Sequence, residues 1–160
     1  MAMFISHSAA ETEALGEAWG RAARRGLVIG LTGDLGTGKT QLVKGIARGL
    51  GITARVHSPT FTLVNVYPGG RLTLFHLDLY RLETPQQLAA AGLEEYLTPE
   101  GLTVIEWVER WLATGDAQPR AVTAADLRSS LRSTPDDFRW VRIEPIDETT
   151  RRISYEDPGS

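Results

Sequence analysis

The feature that most constrains this chain is a glycine-rich stretch, GDLGTGKT at residues 33–40. It follows LVIGLT at residues 27–32, a short and almost wholly apolar run of the kind found in a strand buried on both faces. After it, the apolar side chains of residues 41–50 recur at helical spacing, and Gly51 stands where a helix-ending glycine is favoured. These segments predict a strand, a loop and a helix in that order.

The glycine-rich stretch fits the P-loop pattern, in which backbone N–H groups hold a polyphosphate. Gly33, Gly36 and Gly38 permit an anion nest at the start of the helix near Lys39. Lys39 can bridge the β- and γ-phosphates, and the hydroxyl of Thr40 can ligate Mg²⁺. Lysine is unusual here, because arginine supplies 15 of the 17 basic residues. An ordinary tight turn is the alternative. The predicted nucleotide-binding residues are Gly33, Asp34, Leu35, Gly36, Thr37, Gly38, Lys39, Thr40 and Gln41.

Two acidic residues are candidates for the carboxylate that positions Mg²⁺ and water in P-loop proteins. Asp78 ends the strand-like run LTLFHLD, and Glu106 ends LTVIE. Each is as readily a solvated acid at the end of a strand, but with a P-loop in the same chain we expect both to be functional. No Asn-Lys-x-Asp sequence of the guanine-binding type occurs, which favours ATP as the nucleotide.

Composition narrows the remaining classes of protein. The formal net charge is -3 and acids are mixed with arginines, so direct nucleic-acid binding is not expected. The absence of cysteine excludes thiolate metal sites and thiol catalysis. No apolar run approaches the roughly 20 residues of a membrane helix, and the amino-terminal residues lack the pattern of a secretory signal. We expect a single domain of 160 residues in the cytoplasm.

The rest of the chain divides into short elements. Ser8 to Glu11 has the form of a capping box, which predicts a helix over residues 9–24. Residues 61–66 and 71–79 read as strands around a turn at 67–70. The further predictions are short helices at 85–91 and 93–97, an irregular connection at 114–137 with a helical turn near 124–131, and a carboxy-terminal β-hairpin at 138–156 that turns at 147–150.

Five segments together carry a resemblance to a known family. They are GDLGTGKTQLVKGIARGLG, SPTFTLVNVY, FHLDLYRL, GLEEYL and VIEWVER, in this order within residues 8–112. The sequence resembles the bacterial TsaE (YjeE) family, small P-loop ATPases needed for threonylcarbamoyladenosine (t6A) modification of tRNA. The resemblance implies a P-loop NTPase-like, three-layer α/β domain with a mixed β-sheet flanked by helices, and it implies ATP and Mg²⁺ as cofactors. It also implies action on a complex of TsaB and TsaD, to allow repeated turnover.

The resemblance also assigns roles to individual residues. Lys39 matches the phosphate-binding lysine, and Thr40 and Glu106 match the Mg²⁺ ligands. Asp78 matches the acid of a His-x-Asp-x-Tyr-Arg segment, and Trp107 matches the tryptophan beside the metal-side acid. Lys39, Asp78 and Glu106 are therefore the predicted catalytic residues, with their division of roles left open.

Two threonines are further nucleotide-side candidates. Thr60 follows Ser58 and Pro59, and Pro59 restricts Ser58 to extended geometry. The hydroxyl of Thr60 would act as a switch near Mg²⁺ or the γ-phosphate. The alternative is that this segment is a turn that caps the next strand. Thr12 falls where the first helix would approach the adenine in the family fold. Residues 114–135 match no motif of the family.

Two other functions start from the same P-loop. A small-metabolite kinase needs an acceptor pocket and usually several arginines in a lid, whereas only Arg81 and Arg110 lie near the predicted strand ends. Arg81 and the adjacent Tyr80 are also open to a structural or a partner-binding role. A nucleotide sensor, in contrast, would use its ATP state to control association without turnover.

Overall fold

A mixed β-sheet organises the chain in the computed structural model, which describes residues 2–33, 38–59, 62–82, 85–97, 99–112 and 137–157. Seven strands and three α-helices occur within these ranges, together with two 3-10 helices, Leu93–Leu97 and Val108–Leu112. The strands are β1 Ala2–Ser6, β2 Leu27–Thr32, β3 Val64–Tyr67, β4 Leu74–Asp78, β5 Leu102–Glu106, β6 Asp137–Pro145 and β7 Arg151–Glu156. The α-helices are α1 Ala9–Ala22, α2 Lys39–Gly49 and α3 Pro85–Ala90.

Parallel strands form the centre of the sheet, whose order is β1-β7-β6-β2-β5-β4-β3. Strand β2 pairs in parallel with β5 and with β6, and β5 pairs in parallel with β4. The outer strands β3, β7 and β1 are antiparallel to their neighbours. Strand β5 is buried along its whole length, as expected for a central parallel strand. The parallel strands therefore bring their carboxyl ends to one edge of the sheet.

Helical segments cover both faces of the sheet. Helices α1 and α2 pack on one face, and the two 3-10 helices pack on the other. The predicted three-layer α/β fold with a mixed sheet is confirmed. The first core contains Trp19, Ile29, Leu31, Leu42, Ile46, Leu74, Val104, Val141 and Ile153, and the second contains Val28, Leu77, Leu93, Leu97, Ile105, Val108 and Phe138.

Glycines bring the backbones of α1 and α2 into direct contact. A Cβ atom added at Gly45 would lie 2.0 Å from the carbonyl oxygen of Glu13. One added at Gly16 would lie 2.3 Å from the carbonyl oxygen of Leu42. This close approach fixes the position of α2, whose first residues come from the glycine-rich stretch.

The ends of both long helices follow local sequence signals. Ser8 caps α1 by accepting a hydrogen bond from the amide of Glu11, as predicted, while the Glu11 carboxylate accepts from the amide of His7 at 2.7 Å. The helix ends at Ala22, two residues before its predicted end, because the next residue is extended. Gly51 has a φ of 80° and donates to the carbonyl of Arg48, which confirms the glycine stop of α2.

The hairpin formed by β3 and β4 differs from its prediction. Tyr67 is the last residue of β3 and pairs with Leu74, so the predicted turn at 67–70 is wrong at its first residue. The connection instead runs over residues 68–73.

The amino-terminal strand β1 was not predicted. It is a five-residue edge strand in which Met3 is exposed and only Ser6 is buried, a pattern too weak to stand out in the sequence. Most of the predicted irregular connection at 114–137, including its helical turn, lies outside the described residues, and Asp137 begins β6. Where the structure describes the chain, no helix is long and apolar enough to cross a membrane.

Candidate nucleotide site

The candidate site begins where β2 leads into α2. Gly33 follows β2, and Gly38 is the N-cap of α2 in the left-handed conformation, with a φ of 100°. Among the described residues no side chain caps the helix at this end, so its first N–H groups suit an anionic ligand. The predicted residues Asp34, Leu35, Gly36 and Thr37 lie outside the described residues.

Lys39 is the first residue of α2, and its side chain is buried against the edge of the sheet. Only 5% of the residue is exposed. The ammonium donates a hydrogen bond to the carbonyl of Gly33 and lies 3.9 Å from the centroid of the Trp107 ring. A carbonyl oxygen and the face of an indole both stabilise a cation. The ammonium of Lys39 therefore lies between Gly33 and the residue that follows β5.

Glu106 connects the end of β5 to the first turn of α2. Its Oε1 accepts a hydrogen bond from the hydroxyl of Thr40 at 3.5 Å, and its Oε2 lies 2.5 Å from Nε2 of His76 in β4. Glu106 is 3% exposed and His76 is fully buried. The two carboxylate oxygens thus have different partners, one on the helix and one within the sheet.

Asp78 ends β4 directly beside Glu106, because the two residues are partners in the parallel register. Its Oδ2 accepts a hydrogen bond from the hydroxyl of Ser58 at 2.8 Å, and its Oδ1 accepts from the amide of Tyr80 at 2.9 Å. Ser58 belongs to the predicted switch segment, and Thr60 lies outside the described residues. The carboxylate is therefore oriented by the loop before β3 and by its own chain.

Trp107 adopts a conformation that is uncommon for a side chain of its size. Its φ is 59°, in the left-handed region. The ring packs against Tyr80, with centroids 5.0 Å apart, and the guanidinium carbon of Arg110 lies 5.8 Å from both ring centroids. This turn directs the indole toward Lys39 instead of along the strand.

A cavity of about 360 Å³ lies on the other side of the start of α2. Three of the predicted nucleotide residues line it, Thr12, Gly38 and Gln41. Thr12 is buried and its hydroxyl hydrogen-bonds the hydroxyl of Ser6 at 2.7 Å. The catalytic candidates do not line this cavity. Its walls are His7, Ser8, Ala9, Thr12, Gly38, Gln41, Glu148, Thr149 and Arg151.

The turn between β6 and β7 supplies one wall of this cavity, which the sequence did not indicate. Asp147 shapes the turn by accepting hydrogen bonds from the amides of Thr149 at 2.9 Å and Thr150 at 2.8 Å. These amides hold the pKa of Asp147 below its ordinary value. The turn lies near α2 because β6 pairs with β2, a contact between distant parts of the chain.

The oxygen atoms of Thr40 and Glu106 fit a magnesium site. Mg²⁺ prefers oxygen ligands and is usually bound by one or two carboxylates together with substrate phosphates. In the described part of the chain, no three His, Cys, Asp or Glu side chains are grouped to hold a metal ion. The donor set therefore suits a cation shared with a phosphate better than a cage made by protein alone.

Sequence reasoning missed His76, although a signal was present. His76 and Asp78 are two residues apart in a strand, so both side chains point to the same face. Asp78 was already a candidate. A histidine on the same strand face was therefore a candidate neighbour, but its contact with Glu106 depends on the register between β4 and β5.

Comparison with known proteins identifies one family in both the family-model match and the individual relatives. The family model described as "Threonylcarbamoyl adenosine biosynthesis protein TsaE" matches residues 6–135. A protein of Nostoc sp. named tRNA threonylcarbamoyladenosine biosynthesis protein TsaE is 52% identical over 101 residues, which are 60% of this chain and 61% of that protein. A protein of the same name from Synechocystis sp. is 50% identical over 95 residues, 53% of this chain and 56% of that protein. The chain thus spans about three fifths of the length of these two relatives.

A solved structure resembles the whole fold. The crystal structure of Bacillus subtilis YdiB superposes with a TM-score of 0.69 and 29% sequence identity. The match covers 96% of this chain and 83% of that one.

Proposed function

Because the chain belongs to the family of threonylcarbamoyl adenosine biosynthesis proteins TsaE, we propose that it binds and hydrolyses ATP with Mg²⁺ as an accessory protein for t6A modification of tRNA. The observation that carries this proposal is the contact between Thr40 and Glu106. It joins the first turn of the helix after a glycine-rich stretch to the acid at the end of the adjacent strand, where a P-loop ATPase needs its metal ligands.

The phosphate end of the nucleotide occupies the start of α2. The first N–H groups of this helix and the ammonium of Lys39 hold the β- and γ-phosphates. The Gly33 carbonyl and the Trp107 ring, two of the groups that Lys39 contacts, both lie beside the loop. Thr40 and Glu106 hold Mg²⁺, which neutralises the negative charge that develops on the transferring phosphoryl group.

Asp78 is proposed to orient the attacking water. Its carboxylate is buried at the same strand edge as Glu106, and the hydrogen bonds from Ser58 and Tyr80 fix its direction. A fixed acceptor beside the γ-phosphate position holds a water for in-line attack. The rings of Tyr80 and Trp107 pack against each other beside this edge, with centroids 5.0 Å apart.

The base end of the nucleotide occupies the cavity lined by Thr12, Gln41 and Thr149. Its volume, about 360 Å³, falls in the range of small-molecule sites. Since Gly38 and Gln41 belong to both this cavity and the start of α2, a nucleotide can span the two parts of the site. The choice of ATP over GTP rests on the sequence alone.

The place of this ATPase in the cell is inferred from its relatives. The Nostoc and Synechocystis relatives are both named for tRNA threonylcarbamoyladenosine biosynthesis. We infer that this chain acts in the same pathway, in the cytoplasm, on a complex of TsaB and TsaD, and that ATP hydrolysis allows that complex to turn over. Contact with tRNA then takes place only through the complex.

The test is ATP hydrolysis by the purified protein, alone and with TsaB and TsaD from the same organism. The expected result is a slow rate alone that rises with the pair. This stimulation is lost in Lys39→Ala and survives in Lys44→Ala, the matched change of the other lysine, five residues later in α2. A background rate under both conditions would contradict the proposal. If Glu106→Ala stopped hydrolysis while tRNA modification survived, the protein would be a nucleotide sensor instead.

A further inference from the structure

A buried histidine lies directly against the proposed metal ligand Glu106. We infer that His76 is a positioning residue, which fixes the Glu106 carboxylate so that its Oε1 faces Thr40 and the cation. This inference rests on the proposed function, since it concerns how the chain prepares its Mg²⁺ site. In this role His76 acts through Glu106, which it contacts at Oε2.

The two carboxylate oxygens of Glu106 have different partners. Oε2 of Glu106 is held by Nε2 of His76 at 2.5 Å, and Oε1 faces the Thr40 hydroxyl at 3.5 Å. Because one oxygen is held within the sheet, the carboxylate cannot rotate freely about its terminal bond. The other oxygen therefore stays directed at the helix in the absence of a ligand.

The sheet register explains how His76 reaches Glu106. His76 pairs with Val104, and Asp78 pairs with Glu106, in parallel strands. Side chains two residues apart point to the same face, so all four lie on the face that α2 covers. His76 therefore lies two residues before Asp78 along β4, between the two acids and the apolar core.

The unpaired nitrogen of His76 identifies the direction of the hydrogen bond. Its Nδ1 is buried and has no hydrogen-bond partner among the described residues. A buried N–H without a partner is rare, whereas a buried acceptor without a partner is tolerated more often. The hydrogen atom is therefore on Nε2, and His76 donates to Oε2 of Glu106. A metal ligand held by a donor of this kind is oriented before the cation binds.

Two substitutions separate positioning from simple packing. In His76→Gln the amide nitrogen has about the reach of Nε2 and can still donate to Glu106. In His76→Asn the side chain is one bond shorter and its amide nitrogen lies near the position of Nδ1. The hydrogen-bond donor to Glu106 is therefore lost. Both replacements are polar and smaller than histidine, which makes them a matched pair.

The experiment measures binding of Mn²⁺, in place of Mg²⁺, to the protein saturated with a non-hydrolysable ATP analogue, by the electron paramagnetic resonance signal of free Mn²⁺. We expect His76→Asn to weaken Mn²⁺ binding by about tenfold or more, and His76→Gln to restore most of the affinity. Affinity for the analogue in the presence of EDTA should be the same in all three proteins, because the phosphate-binding residues are unchanged.

Each other outcome overturns the inference. Wild-type Mn²⁺ affinity in His76→Asn, or an equal loss in both variants, would show that the donor to Glu106 is not needed. If the wild-type protein bound the analogue and Mn²⁺ but the variants did not differ, only this inference would fail. If the wild-type protein bound neither, the proposed function would fail and this inference with it.

A second measurement needs no variant and so does not depend on the folding of the mutants. A long-range ¹H–¹⁵N nuclear magnetic resonance spectrum of the wild-type protein reports which ring nitrogen of His76 carries hydrogen. We expect the hydrogen on Nε2 and none on Nδ1. A hydrogen on Nδ1 alone would overturn the inference, because His76 would then accept from Glu106 instead of donating to it.

Discussion

The ammonium of Lys39 lies 3.9 Å from the centroid of the Trp107 ring. Lys39 is the first residue of α2, and Trp107 is the first residue after β5. This contact places the only buried lysine of the described residues against an aromatic face. The indole reaches it because Trp107 has a left-handed backbone, with a φ of 59°. The conformation that is costly for Trp107 is thus the one that covers Lys39.

We predict that the aromatic face at position 107 stabilises the protein without nucleotide. The free energy of unfolding of Trp107→Leu should be about 1 kcal/mol lower than that of Trp107→Phe, because leucine offers no ring to the ammonium. Both replacements keep the same backbone strain. Urea unfolding measures the difference. In a Lys39→Met background the two variants should be equally stable, and a difference that persists there would show that packing, not the cation, is responsible.

The cavity beside α2 should accept the base and not the phosphates. Ala9→Phe places a ring among its lining residues, whereas Ala10→Phe, at the next exposed position of α1, does not. We expect Ala9→Phe to weaken ATP binding about tenfold, equivalent to about 1.4 kcal/mol, and to leave tripolyphosphate binding unchanged. Calorimetry with both ligands measures this. Equal ATP affinities in the two variants would place the base elsewhere.

The contact between α1 and α2 should reverse the usual effect of replacing glycine in a helix. By helix propensity alone, Gly45→Ala would stabilise the protein by about 1 kcal/mol. The added Cβ would meet the Glu13 carbonyl oxygen at 2.0 Å. We therefore expect the free energy of unfolding to fall by about 1–3 kcal/mol instead. Urea unfolding measures it, with Ala18→Gly on the exposed side of α1 as the propensity control. A stabilised Gly45→Ala protein would contradict the close packing.

The turn at Asp147 should contribute stability that depends on pH. The amides of Thr149 and Thr150 lower the pKa of this carboxyl below its ordinary value of 3.8. A carboxyl with a lowered pKa stabilises the folded state above 3.8, and this contribution is lost as the pH falls through the folded-state pKa. The wild-type protein should therefore exceed Asp147→Ala in stability near neutral pH, and the gap should narrow in acid. A gap that is constant with pH would contradict this account.

Local signals in the sequence were sufficient for much of the fold. The buried run of β2, the glycine-rich stretch and the apolar spacing of α2 each depend on neighbouring residues, and so do the cap at Ser8 and the stop at Gly51. The same holds for Asp78 and Glu106, since each ends a recognisable strand. These elements could be predicted because short-range periodicity and turn chemistry determine them.

Contacts between distant segments account for the features that were missed. His76 meets Glu106 only because β4 and β5 are adjacent in a particular register. The turn at residues 146–150 reaches the cavity only because β6 lies beside β2. Strand β1 is an edge strand that depends on β7 for its pairing. None of these pairings is encoded in the periodicity of a single segment.

The central claim is that Thr40 and Glu106 hold Mg²⁺ for a bound ATP, and calorimetric titration with ATP tests it most directly. The measurement compares the wild-type protein, Thr40→Ser, which keeps the hydroxyl, and Thr40→Val, which replaces it with a methyl group. We expect Thr40→Val to bind ATP at least about tenfold more weakly than the other two in the presence of Mg²⁺, and all three to bind alike in EDTA. Wild-type affinity for ATP and Mg²⁺ in Thr40→Val, or no ATP binding by any of the three, would contradict the account.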